Sequence, residues 1–294
     1  MPELPDITIY IESLAARVLG QPLVSLVVKT PFVLRTVAPP VSAVQGRRVT
    51  GLRRLGKRIV FDMGDELFIV IHLMIAGRLR WRAPGAKMPA GHVLATFEFL
   101  TGVLALTEGG STRRASLHIV QGEAQLAAID RGGIEPLDIN RDTFAAQLAH
   151  ENHTLKRSLT DPRIFSGIGN AYSDEILHRA RLSPLALSQK LTTEEVTRLY
   201  DAVQVVLREW TARLRDQLGG EFPETVTAFR DKMSVHGRYG KPCPVCGAPV
   251  QRIRYASNET NYCARCQTGG RLLADRAMSR LLREDWPRSI DEVE

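Results

Sequence analysis

Cysteine is nearly absent. The 294-residue chain has 4, all between positions 243 and 266. A disulfide framework spreads its cysteines along a small chain, so none is indicated here. Long apolar runs are missing as well, and no stretch approaches the ~18–20 residues of a membrane-spanning helix. The first residues include Glu3, Asp6 and Glu12 in place of a basic segment followed by an apolar one, so no secretory leader is read. Internal repeats and low-complexity tracts are not found. Lysine is scarce: 7 lysines stand against 32 arginines among the 39 basic residues. These absences leave a soluble, cytoplasmic protein as the expectation.

What is present points to a polyanionic partner. The formal net charge is +7 and the pI about 9.5, the balance common in proteins that meet nucleic acid. Arginine also suits bidentate phosphate contacts. With 44% hydrophobic residues the chain can build cores, and its length accommodates two domains.

Along the chain, Asp6 reads as a helix N-cap behind Pro5, and Ile7, Ile11, Leu14 and Val18 recur on one helical face. Gly20 and Pro22 stop that helix. Short β-rich runs follow at 23–28, 58–63, 66–71, 78–81, 93–99 and 103–106, divided by turns such as Gly64-Asp65 and Thr101-Gly102. Closely spaced strands of this kind predict a sandwich or barrel. Gly132 to Leu137 reads as a hinge. Beyond it the pattern turns helical at 142–150, 154–160 and 170–180, with Gly167-Ile168-Gly169 between the last two. Thr192 and Glu195 form a capping box for a long amphipathic helix ended by Gly219-Gly220.

Two stretches carry chemistry. If Met1 is trimmed, Pro2 has a free secondary amine, whose pKa near 8 leaves much of it uncharged at neutral pH. An uncharged amine can attack a carbonyl carbon to form a Schiff base, and Glu3 lies beside it as a general acid or base. The alternative is that Pro2 and Pro5 only shape an extended entry to the helix. The second stretch is Cys243-Pro-Val-Cys246 with Cys263-Ala-Arg-Cys266, the four-cysteine spacing of a zinc site. Four thiolates complete a tetrahedron, so this zinc is expected to be structural, on a β-hairpin.

The Pro2-Glu3-Leu4-Pro5 start, Gly56-Lys57, His72-Leu73, the string from Gly167 to Glu175, His236-Gly237-Arg238 and the cysteine hairpin occur in one order over Met1 to Cys266. Together they resemble the formamidopyrimidine-DNA glycosylase/endonuclease VIII family. The resemblance implies an α+β fold: an N-terminal β-sandwich with a leading helix, then a helix–two-turn–helix domain with a zinc β-hairpin. The implied parts are 1–131 catalytic, 132–150 hinge and linker helix, 151–235 DNA-binding, 236–268 zinc finger and 269–294 an added helical extension. In that extension Leu272, Leu273, Leu281, Leu282 and Trp286 are expected to pack onto the domain. The implied activity is removal of oxidised bases from double-stranded DNA by a monomer, through a Pro2 Schiff base with β-elimination at the abasic site. Pro2, Glu3 and Lys57 would be catalytic. Met74 or Ile75 would fill the void left by the flipped base. Arg113, Arg114, Lys156, Asn170, Glu175 and Asn258 would contact DNA, with Glu175 near the sugar.

Two departures from the family pattern stand out. Asn258 occupies the place of a hairpin arginine, for which Arg252 or Arg254 could stand in, and Ala115 replaces the wedge phenylalanine. Two other readings therefore stay open. One is a catalytically weak protein of the same fold that binds damaged DNA. The other is a zinc-ribbon scaffold protein of transcription or translation. Loop residues between Leu218 and Ser234 are expected to set base choice.

Overall fold

The computed structural model describes residues 1–86, 92–109, 113–226, 230–255, 258–274, 280–281 and 287–292. They form two compact units, Met1–Arg131 with Trp210–Thr227, and Gly132–Glu209 with Ala228–Glu294.

The first unit opens with helix α1 (Leu4–Val18). Its N-cap is Glu3, not Asp6: the Asp6 carboxylate reaches back to accept the Glu3 N–H at 2.8 Å, which starts the helix three residues earlier than the sequence indicates. Pro5 is tolerated because first-turn amides have no intrahelical acceptor. Ile7, Tyr10, Leu14 and Val18 are buried along one face.

Eight antiparallel strands follow: β1 (Leu23–Val28), β2 (Gly51–Leu55), β3 (Arg58–Asp62), β4 (Leu67–His72), β5 (Gly77–Arg82), β6 (Val93–Phe99), β7 (Gly102–Glu108) and β8 (Ser116–Gln121). They make two four-stranded sheets, β1-β6-β7-β5 and β2-β3-β4-β8. Inward residues of both sheets share one core with α1, and Phe61 of one sheet stacks on Phe97 of the other at 6.2 Å. This is the expected sandwich. Helix α2 (Glu123–Ile129), which the strand pattern does not indicate, covers the outer face of the second sheet through Leu126 against Phe68, Val70 and Val120. Residues 219–226 are not a free loop. Phe222 lies 5.9 Å from Tyr10 and 6.3 Å from Trp81, and Glu224 pairs with Arg82.

The second unit holds helices α3 (Arg141–Ala149), α4 (Leu155–Thr160) and α5 (Asn170–Ala180), and the start of α6 (Thr193–Leu218). Thr192 and Glu195 exchange the two hydrogen bonds of the expected capping box, at 2.9 and 3.2 Å. Phe144 stacks on Phe165 at 4.8 Å, with Tyr200 edge-on at 5.6 Å. The hairpin β9 (Gln251–Tyr255) and β10 (Asn258–Tyr262) and helix α7 (Ala264–Thr268) complete it. In the C-terminal extension Leu272 and Leu273 pack with Tyr262 and Ile290, as expected of the first two. Leu281 is exposed instead, and Leu282 and Trp286 lie outside the described residues.

Candidate nucleic-acid interface and zinc centre

In the first unit Pro2 and Glu3 are buried at the head of α1. The Met1 α-amine is held below its ordinary pKa, first by burial and then by the positive charges of Arg78 and Lys57, while Glu3 and Asp6 act the other way. Lys57 is placed by a two-residue turn between β2 and β3. Gly56 takes φ +62° there, the glycine-first hairpin turn that suits strand twist. His72, opposite Arg58 on β4, is pushed down to about 4 by burial and then by Arg58, Lys57, His118 and Arg131.

The turn from β4 to β5 carries Met74 and Ile75, the two residues expected to fill the void. Gly77 donates to the Leu73 carbonyl at 2.9 Å, and any Cβ on Gly77 would lie 2.2 Å from that oxygen. Met74 has φ +52°, and Ile75 is 61% exposed at the tip. The second segment is the one in which Ala115 stands where the family pattern has a phenylalanine. Arg113 and Arg114 are exposed, but Ala115 points into the core, and its N–H and that of Arg114 donate to the buried Glu108 carboxylate at 2.9–3.2 Å. A residue in that position cannot enter DNA. Glu108, which accepts these two amides, carries no signal in the sequence.

In the second unit the Gly167–Gly169 turn leads into α5, with Gly167 at φ +81° and Asn170 as the first helical residue. The Asn170 side-chain amide donates to the Glu259 carbonyl of the hairpin at 2.8 Å. Lys156 is not an open phosphate ligand. Its ammonium is largely buried and bonds the Asn170 carbonyl and Asp174. Asp174 is fully buried and also accepts from His236 Nδ1 at 2.7 Å and the Asn261 N–H at 3.2 Å. Glu175 is neither at the surface nor open to a sugar. It is 4% exposed, and its carboxylate accepts the N–H groups of Ser234, Val235 and His236 at 2.8–3.0 Å. Asn258 opens β10 opposite Tyr255. The two candidate stand-ins are engaged: Arg254 pairs with Glu259 at 3.2 Å and Arg252 at 3.7 Å, with Arg252 also 4.0 Å over the Tyr239 ring.

The sulfurs of Cys243, Cys246, Cys263 and Cys266 all lie within 4.8 Å of one another. Two of the spacings are 3.9 and 3.3 Å, near the ~3.8 Å edge of a tetrahedron with ~2.3 Å zinc–sulfur bonds. The donor set and its size fit zinc.

Three family models match in sequence order: the formamidopyrimidine-DNA glycosylase N-terminal domain over residues 1–112, the glycosylase's helix–two-turn–helix domain over 133–216, and the zinc finger found in this glycosylase and in IleRS over 240–269. The formamidopyrimidine-DNA glycosylase of Heliobacterium modesticaldum is 32% identical over 279 residues, spanning 91% of this chain and 100% of the relative. The chain belongs to the formamidopyrimidine-DNA glycosylase family. The four cysteines accordingly hold one structural zinc.

A formamidopyrimidine-DNA glycosylase-like protein of Mycobacterium tuberculosis, described as uncharacterised, is 42% identical over 151 residues, covering 51% of this chain and 94% of its own. Among solved structures, a Lactococcus lactis formamidopyrimidine-DNA glycosylase variant in complex with Fapy-dG-containing DNA superposes with TM-score 0.78 at 25% identity, covering 91% of this chain and all of that one. The Lactococcus lactis enzyme bound non-covalently to DNA with an abasic site gives TM-score 0.78 at 25% identity, covering 90% and 99%. No described helix is long and apolar enough to cross a membrane.

Proposed function

We propose that this protein is a DNA glycosylase with abasic-site lyase activity, acting on oxidised bases in double-stranded DNA as a monomer. The observation that carries the reading is the setting of the N-terminal amine. Burial and the nearby Arg78 and Lys57 charges favour its neutral, nucleophilic form, and Glu3 is beside it. That amine belongs to Met1; once Met1 is removed the terminal nitrogen is that of Pro2, which is buried next to Glu3 at the head of α1.

The damaged nucleotide must leave the stack to be reached. The Pro2 nitrogen then attacks the sugar C1′, and the base departs with the bonding pair of its glycosidic bond. The nitrogen gives up its proton, its lone pair forms the C1′=N bond of an iminium cation, and the C1′–O4′ bond breaks with its pair going to the oxygen, which Glu3 protonates. That cation draws electrons from the C2′–H bond, a base takes the proton, and the 3′ phosphate leaves in a β-elimination. Glu3 is the acid/base on the sugar, and Lys57 is a phosphate contact that assists. Met74 or Ile75 fills the vacated stack. The structural neighbours, solved in complex with DNA that carries a Fapy-dG lesion or an abasic site, support this partner.

A second reading, a weakly catalytic binder of damaged DNA, is favoured by the inward Ala115. Duplexes each carrying one defined oxidised purine, oxidised pyrimidine or abasic site separate the two. The enzyme reading expects base release and strand cleavage on at least one oxidised base. Tight binding of all three without cleavage by Met1-free protein would support the binder.

A further inference from the structure

The zinc site has a neighbour that the cysteine spacing does not disclose. His178, in the last turn of α5, places Nε2 3.3 Å from the Cys243 sulfur. The histidine is 5% exposed and Cys243 3%. Zinc(II) with four thiolates carries a net charge of about −2, and a thiolate shut away from water needs hydrogen-bond donors to offset it. The Val245 N–H approaches Cys243 at 3.5 Å, the shallow contact of a CxxC turn. A zinc-bound thiolate has no proton to give, so in any hydrogen bond at 3.3 Å the imidazole must be the donor.

We infer that His178 is a positioning residue of the zinc centre: its Nε2–H donates to the Cys243 thiolate, strengthening zinc retention and tying α5 to the metal. A second tie runs in parallel. Gln267 accepts the Cys263 N–H at 2.8 Å and donates to the Leu182 carbonyl, two residues past α5, at 2.9 Å. Both buried cysteines are thus fastened to the end of the helix that begins at the Gly167–Gly169 turn. Loss of zinc would loosen α5 as well as the hairpin. The inference depends on the zinc site alone and stands whether or not the glycosylase reading holds.

The test uses the full-length, metal-loaded chain. His178→Phe keeps a ring but removes the donor, whereas His178→Gln returns an N–H near the Nε2 position. Zinc transfer to a chromogenic pyridylazo chelator should be about 10-fold faster in His178→Phe, at the lower end of what loss of a ligand's hydrogen-bond partner does. The thiolate-to-cobalt charge-transfer band of the cobalt-substituted protein should move to longer wavelength in that variant, because the sulfur lone pair loses a stabilising donor. His178→Gln should resemble wild type in both. Unchanged release and band position in His178→Phe, or equal perturbation in the two variants, would overturn the assignment. Nitrogen-15 NMR of the zinc-loaded wild type decides the matter without any variant: a protonated Nε2 is expected, and an unprotonated one contradicts it.

Discussion

Glu175 is the residue whose position says most. A carboxylate in the middle of a DNA-binding string reads as a ligand for DNA. In three dimensions it closes the loop that runs into His236 by accepting three amides. Removing it would leave buried N–H groups without acceptors, each costing roughly 1–3 kcal/mol. Glu175→Ala should therefore lower unfolding free energy by about 3 kcal/mol, read from denaturant melts; an unchanged midpoint would return Glu175 to the surface. His72 offers a pH test. Its folded pKa of about 4 lies below the ordinary 6.5, so between those values the unfolded chain takes up a proton that the folded chain refuses. Stability should fall as pH drops from 6.5 towards 4, by up to about 3 kcal/mol from this group. His72→Gln should lose less over the same window. Equal losses would mean that His72 is not buried neutral.

At the scale of elements, much of the architecture was legible. The spacing of Ile7, Leu14 and Val18, the strand 93–99, the helix 170–180 and the capping box at Thr192 are where the residues place them. Strand β2 has no apolar signature, because two of the five residues of Gly51-Leu-Arg-Arg-Leu are arginine and none is buried. Helix α2 is short, and its sequence gives no helical stripe beyond Leu126. The site was less legible for one physical reason: type and spacing do not tell which way a side chain faces. Lys156 turns inward to Asp174, and Ala115 turns into the core. The hairpin carries a prediction of its own. Arg252 and Arg254 already share Glu259, so neither brings an uncommitted charge to phosphate. Asn258→Arg should add one, tightening binding to abasic-site duplex by roughly 1–2 kcal/mol, the gain from a charge-assisted hydrogen bond over a neutral one. Fluorescence anisotropy at fixed salt reads the change; unchanged affinity would place position 258 away from the DNA.

Over the whole molecule, the chain is basic and has two compact units, with an exposed β4–β5 turn in the first and a zinc-braced hairpin in the second. None of these parts performs the chemistry. In the proposed reaction that falls to one nitrogen at the chain's start, where burial and the charges of Arg78 and Lys57 lower the pKa of the terminal amine. Borohydride trapping tests this most directly. Protein freed of Met1 is incubated with abasic-site duplex and sodium borohydride, and the cross-linked peptide is sequenced by mass spectrometry. The account predicts a reduced, stable adduct on the N-terminal Pro2 nitrogen, absent when Met1 is retained. An adduct on Lys57, or no adduct with Met1-free protein that binds the duplex, would contradict it.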